Sequence, residues 1–301
     1  MRLKEWDWKI TQDLTRFFNL TRFFKGGDMY DRYRAAFVAS GAVALVFTFG
    51  ALPGAAYAVG QGHDTRAEET SPSREGYWPL EEAPGGIAPN VQPDGLPLTL
   101  NGDAWIYQNE DIFGDPALVD QGDLRLDGDA DWAATSAAPV GGDGSFTLAV
   151  RARLAAADDR TQTVLSLPGS DADRIAIRYQ AASGKWEVVV STEDKANAPQ
   201  VAVTEEQDLP DDHSQGVGDH LAVVFDAPAH ELRFYVNGQL ANTSTAVDTT
   251  SWTASGGLQV GRSAIRGEYF RGTVDEVRAY SGAANPTMIN QMASLTGVPD
   301  L

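Results

Sequence analysis

From about residue 96 the sequence becomes a succession of short alternating runs separated by turn residues, and this pattern restricts the fold more than any other feature. In "GSFTLAVRARL", Phe146, Leu148, Val150 and Ala152 fall on one face of an extended chain, while Thr147, Ala149 and Arg151 fall on the other. The runs "RIAIRYQ" and "KWEVVVS" flank Ser183-Gly184, and "LRFYV" leads into Asn237-Gly238. Asn-Gly between alternating runs is a strong hairpin signal, because both central residues of the tight turn need positive φ. "PLTLNGDAWI", "GDLRLDGDADW", "DHLAVVFD", "GGLQVGR" and "FRGTVDEVRAY" supply further strands. No strand is followed by a crossover helix, so a parallel sheet is excluded. The expectation is an all-β, two-sheet antiparallel sandwich of the jelly-roll type.

A single helix is expected at the C-terminus. Asn285 can cap it, Pro286 suits its first turn, and Met288, Ile289, Met292 and Leu295 share an apolar face, with Gly297 and Pro299 as stops. Such a helix would close over the sandwich edge as a lid.

Charge and composition exclude several functions. The chain carries 42 acidic against 23 basic residues, a formal charge of −19. A nucleic-acid face needs clustered Lys and Arg, so no nucleic-acid partner is expected. The absence of cysteine removes disulfides, thiolate metal sites and cysteine nucleophiles together.

The front of the chain reads as an export device. Eight Lys/Arg and five Asp/Glu precede the uncharged residues 35–58, which end in Ala56-Tyr57-Ala58. A positive flank, an apolar run and a small-residue site describe a signal peptide cleaved after Ala58. The rival is a retained anchor through residues 35–52, the one membrane contact the sequence suggests. That run is slightly shorter than the roughly 20 residues a spanning helix needs. Translation from Met29 would give an ordinary lead-in, "MYDRYRAAFV", so both Met1 and Met29 stand as starts. The expected organisation is a leader over residues 1–58, a Pro-rich acidic linker over 59–95, a sandwich over 96–296 and a tail over 297–301. Tyr77-Trp78 falls inside the expected linker, where docking on the sandwich and an incidental role both stand open.

In order, "LRLDGDADW", "SFTLAVRARL", "HLAVVFD", "LRFYVNGQL", "LQVGR" and "YFRGTVDEVRAYSGA" resemble the laminin-G-like, concanavalin A-like jelly-roll domains of secreted bacterial proteins, over about residues 96–296. The fold hosts lectins, adhesion modules and glucanases, so function must come from the site. The hydrolases that this resemblance brings in carry a Glu-x-Asp-x-x-Glu strand whose alternate acids enter the cleft. That spacing is missing here, as are Gly-x-Ser-x-Gly and a phosphate-cradling glycine loop. Glu205-Glu206-Gln207-Asp208 reads as a solvated loop, and His220, at a strand start, reads as a packing residue. No catalytic residue is assigned.

The resemblance also implies that Asp275, in "VDEVRAY", helps to hold a structural Ca²⁺. Its rival role is an ion pair with Arg278 or Arg271. Asp275 and the adjacent Glu276 should point to opposite faces of their strand, leaving one of them on the core side. Asp127, Asp129 and Asp131 alternate like loop ligands, with Asp127 and Asp129 the candidates, although beside glycine such residues also simply form turns. For a ligand, Trp132, Trp252, Tyr269 and Phe270 offer flat rings in or beside loops, with Arg262 and Arg266 to reach hydroxyls or carboxylates. The functional expectation is an exported, non-catalytic module for a glycan or a cell-surface protein. A hydrolase with an atypical site and an anchored adhesive surface protein are the alternatives.

Overall fold

A computed structural model describes residues 71–108, 117–247 and 252–295, which lie in a compact unit running from Thr65 to Leu301. The leader of residues 1–58, its cleavage site and the apolar run at 35–52 fall outside the described residues, as do Gly297 and Pro299. Among the described residues no helix is long and apolar enough to cross a membrane.

The strands are β1 (Ser73–Trp78), β2 (Ile87–Ala88), β3 (Leu98–Asn101), β4 (Trp105–Gln108), β5 (Gly122–Asp127), β6 (Trp132–Ala134), β7 (Phe146–Leu154) and β8 (Gln162–Pro168). They continue with β9 (Asp173–Gln180), β10 (Lys185–Ser191), β11 (Gln200–Thr204), β12 (Asp219–Asp226), β13 (Glu231–Val236), β14 (Gln239–Ser244), β15 (Gln259–Val260) and β16 (Arg271–Ser281). One α-helix, α1 (Pro286–Ser294), follows.

Two antiparallel sheets form the expected sandwich. The first runs β14-β13-β12-β7-β16-β5-β4, and the second β11-β10-β9-β8-β15-β6-β3-β2. β16 is the hinge of the first sheet. Its first residues pair with β5 and its last with β1, so β1 and β5 sit end to end along the same side of it. The inner faces carry the alternating apolar residues foreseen for β7, with Leu148 and Val150 packed among Leu221, Val223, Ile175, Ile177, Val188 and Trp186. Asn237 and Gly238 adopt φ of 50° and 78°, the left-handed pair that the β13–β14 turn requires.

Three expectations are corrected. The sandwich does not begin at residue 96. β1 pairs along β16, and Trp78 is fully buried in the core, so the supposed linker supplies a strand and a large core side chain. Prolines and acids disguised it, because a six-residue strand between breakers leaves little alternation to detect.

Next, α1 does not close an edge. Asn285 caps it by accepting from the Met288 N–H at 2.9 Å, as expected. Met288, Ile289 and Met292 then pack on the outer face of the first sheet against Ala149, Ala222, Val224, Tyr235 and Tyr280. Leu295 is the left-handed C-cap and is 43% exposed, so it leaves the apolar face assigned to it.

Finally, Asp275 and Glu276 do not point to opposite faces. Asp275 pairs with Arg151 and Arg278 with Ala149, so three steps on β16 match two on β7. This is a β-bulge, and Glu276 takes a left-handed φ of 53° within it. Val274 and Val277, three apart, both enter the core, and the two acids between them both lie on the outer side.

Candidate recognition surface

The outer face of the first sheet is buried at its centre. Asp275 and Glu276 are 0% and 3% exposed. Asp275 accepts from the Val119 N–H at 3.0 Å and the Glu276 N–H at 2.7 Å. Burial pushes its carboxyl up to about 9, with the charge of Glu276 acting in the same direction. Glu276 accepts from the Tyr77 hydroxyl at 2.7 Å and pairs with Arg278, whose guanidinium lies 4.4 Å from the Tyr77 ring centroid. The Asp275–Arg278 and Asp275–Arg271 pairs proposed from the sequence are not the ones that form.

Sealed in this way, the acids offer no path for a sugar and no acid/base pair across a cleft. The outer face of the second sheet is likewise covered by its own chain. There Ser166 Oγ donates to the Arg262 carbonyl at 3.0 Å and Ser263 Oγ to Asp173 at 2.5 Å. Thr163 Oγ1 donates to Glu268 at 2.8 Å, and Arg178 bridges Glu187 at 2.8 Å and Glu268 at 3.4 Å. The segment 262–268 therefore covers this face through bonds to β8 and β9.

The metal expectation loses its ligand set. Asp127 Oδ1 accepts from the N–H groups of Asp129 and Ala130 at 2.8 and 3.3 Å, and these bonds, the Asp129 one foremost, hold its carboxyl below the usual range. Asp131, the third acid of that alternation, closes the same turn by accepting from Asp127 N and Asp103 N. Arg271, not Asp275, pairs with Asp127, and Asp275 lies four residues further along β16, roughly 13 Å away at ~3.3 Å per residue. Among the described residues no three His, Cys, Asp or Glu side chains gather as a metal site would require. Asp127 and Asp129 form a turn.

Of the expected ligand-binding residues, three come together. Trp132 lies on β6 beside β15, which delivers Arg262 just past its end. The Arg262 guanidinium sits 3.7 Å from the Trp132 ring centroid, steadied by Gln259 Oε1 at 3.0 Å, and Tyr269 packs 6.2 Å away. One face of Trp132 is thus already occupied. Trp252 is separate, donating to the Ser191 carbonyl at 3.1 Å with the Arg174 guanidinium 5.1 Å from its ring. Arg266 approaches Glu268 at 4.0 Å. Phe270 is fully buried against Trp186, 6.5 Å between centroids, so it has no ring face to offer and leaves the candidate set.

A different aromatic ring is open, beside a half-buried one. Trp105 is 53% exposed, the most open aromatic side chain among the described residues. Alternation along β4 turns Ile106 to the core and sets Trp105 and Tyr107 together outside, edge to face at 5.9 Å. Arg125, the cross-strand neighbour of Trp105, places its guanidinium 4.5 Å from the Tyr107 ring and pairs with Asp123 at 2.6 Å. Two grooves border this platform. One runs from Trp105 to Glu82, Pro84 and Gln108, and the other from Arg125 to Arg153, Thr273 and Gly216. The "AWIYQ" alternation was available in the sequence. What it lacked was any sign that, among the described residues, nothing covers this edge of the sheet.

A family profile described as the concanavalin A-like lectin/glucanases superfamily matches residues 127–290, more than half of the chain. The chain belongs to this superfamily. Within it the laminin-G-like resemblance and the sandwich are both met. No curated protein matches the sequence. Among solved structures, domain 4 of the extracellular arabinanase AbnA from Geobacillus stearothermophilus, in complex with arabinotriose, is similar at 16% identity and a TM-score of 0.52, covering 74% of this chain and 100% of that one. Botulinum neurotoxin type C, whose cell entry depends on interaction with two ganglioside molecules, is similar at 10% identity and a TM-score of 0.52, covering 74% of this chain and 51% of that one. Trypanosoma rangeli sialidase in complex with sialic acid is similar at 16% identity and a TM-score of 0.50, with coverages of 75% and 33%. This chain therefore spans one whole arabinanase domain but only half or a third of the other two. At these identities the likeness is one of fold.

Proposed function

We propose that the chain is an exported, non-catalytic glycan-recognition module of the superfamily. The observation that carries this reading is the open Trp105 ring, set beside Tyr107 and Arg125 at the rim of two grooves. A sugar presents an apolar face of C–H groups that stacks on such a ring, while hydroxyls around its rim take hydrogen bonds from groups like Arg125 and Gln108. The residues sit on β4 and β5, so the platform is held rigid before the ligand arrives. The saccharides bound by the arabinanase domain and the sialidase, and the gangliosides of the toxin, support the ligand class. Export rests on the leader sequence, and the extracellular arabinanase supports it. The buried state of Asp275, Glu276 and Glu187 supports the absence of catalysis.

The test is a glycan array probed with the full chain, including arabinan oligosaccharides and gangliosides. Trp105→Ala should weaken binding about tenfold or more with an unchanged melting point, because the removed ring is exposed. Trp132→Ala should leave binding intact. The reverse pattern would move the site to the Trp132–Arg262–Tyr269 cluster. Release of new reducing ends from any polysaccharide would overturn the non-catalytic reading.

A further inference from the structure

The sealed outer face of the first sheet contains donors with nothing to donate to. His220 on β12 pairs directly with Arg151 on β7, which pairs in turn with Asp275 on β16. Arg278 stands beside the next outward position of β7, Ala149. Arg151 and Arg278 are 3% and 4% exposed, His220 1% and Tyr280 0%. Arg151 Nη1 and Nη2 reach the carbonyls of Val217 and Ala293, but its Nε has no partner. Arg278 Nη1, both ring nitrogens of His220 and the Tyr280 hydroxyl are also buried without partners. Buried polar atoms in folded proteins nearly always find one, so several orphans among neighbouring side chains indicate a guest.

The chemistry of these atoms selects the guest. The orphans on Arg151 and Arg278 are pure donors, a neutral imidazole adds an N–H, and a tyrosine hydroxyl can donate as well. Two guanidiniums remain charged at any physiological pH, whereas the carboxylate that pairs with one of them here, Glu276, is already shared by Arg278 and Tyr77. Asp275 spends both oxygens on backbone N–H groups. Arg151 hydrogen-bonds only to carbonyls, and although Glu276, Asp275 and Asp219 attract it through space, no carboxylate bonds to it, which leaves its charge without a bonded counter-ion in a dry layer. A cation would worsen this imbalance, and a water molecule would leave the charge unmatched.

We propose that Arg151, Arg278 and His220 form an internal binding site for one small monovalent anion of the chloride type, beneath α1. The ion accepts from Arg151 Nε, Arg278 Nη1 and a His220 N–H, and it ties β7, β12 and β16 to the helix that covers them. It is a structural site, separate from the Trp105 platform and independent of glycan binding.

Bromide, an anomalous scatterer of similar size and charge, tests this directly. Crystals of the full chain grown in sodium bromide should show an anomalous peak within hydrogen-bond reach of Arg151 Nε and Arg278 Nη1. An ordered water there, or no density, overturns the site. In solution, replacing gluconate by chloride at constant ionic strength should raise the melting point, by about 3 °C for each tenfold increase above the dissociation constant. A melting point indifferent to chloride over that exchange also overturns it. Arg151→Met should lose the chloride response. Should that variant fail to fold, the bromide experiment on the unaltered chain still decides the matter.

Discussion

Tyr77 and Glu276, 199 positions apart in the chain, are joined by a 2.7 Å hydrogen bond on the outer face of the first sheet. The tyrosine comes from a segment that reads as linker. The glutamate comes from the bulge that turns both acids of "VDEV" outward, and the bond joins β1 to β16 beside Arg278.

Removing that hydroxyl tests whether the bond stabilises the fold. Burial and the neighbouring Glu276 push the Tyr77 hydroxyl well above its ordinary range, so it remains a donor at all working pH. Tyr77→Phe strands one carboxylate oxygen in a buried site and should cost about 2 kcal/mol, since bonds to charged groups are the stronger ones. Urea denaturation of both proteins measures it, and an unchanged midpoint would show that water takes over the bond.

β1 belongs to the domain, and its core residue should behave accordingly. Trp78 donates through Nε1 to the Leu96 carbonyl at 2.9 Å and is completely buried. Trp78→Ala should cost roughly 3–5 kcal/mol, as for other large aromatics removed from a core. If this segment were only a linker, the same change would move the melting point by less than a degree or two.

Asp275 gives the protein a pH signature. Its carboxyl is pushed up to about 9 when folded, chiefly by burial, against an ordinary value of 3.8. The folded state therefore holds this proton more tightly than the unfolded state. The resulting contribution is fully present below pH ~4 and is lost progressively as pH rises toward about 9, with a slope of at most ~1.4 kcal/mol per pH unit. Asp275→Asn cannot ionise, so its stability relative to the unaltered protein should climb across that window. A constant difference from pH 4 to 9 would mean that Asp275 is ionised in the fold.

Calcium should have little effect on stability. An ion that binds only the folded state raises its melting point. Asp127 and Asp275 are far apart along the sheet, and their oxygens already receive backbone N–H groups. Melts in millimolar Ca²⁺ and in EDTA should agree within about 1 °C. A larger rise in calcium would restore the metal reading with ligands other than these three aspartates.

The sequence reading succeeded where information is local. Alternation in β7, β9, β10, β12 and β13 exposes one buried face to inspection, and Asn237-Gly238 announces its turn through a φ requirement that few other residues meet. The N-cap at Asn285 is likewise a contact across three residues. Such features state the two-sheet architecture and its family without help from distant parts of the chain.

The site was only partly legible. Trp132, Arg262 and Tyr269 do converge, yet Phe270, next in the chain, points into the core, and Trp105 was passed over. A strand pattern tells which side chains share a face but not what else lies on that face. One helix and the Tyr77 side chain lie over the centre of the first sheet, and nothing described covers the Trp105 end.

For "VDEVRAY" the division is clear. By itself the sequence determined that the segment is a strand, because valines, threonine and tyrosine are packed into a short run between glycines. Only the tertiary structure decided where its acids go. A bulge depends on the register against β7, fixed by pairings more than a hundred residues distant, and one extra residue reverses the face of everything after it.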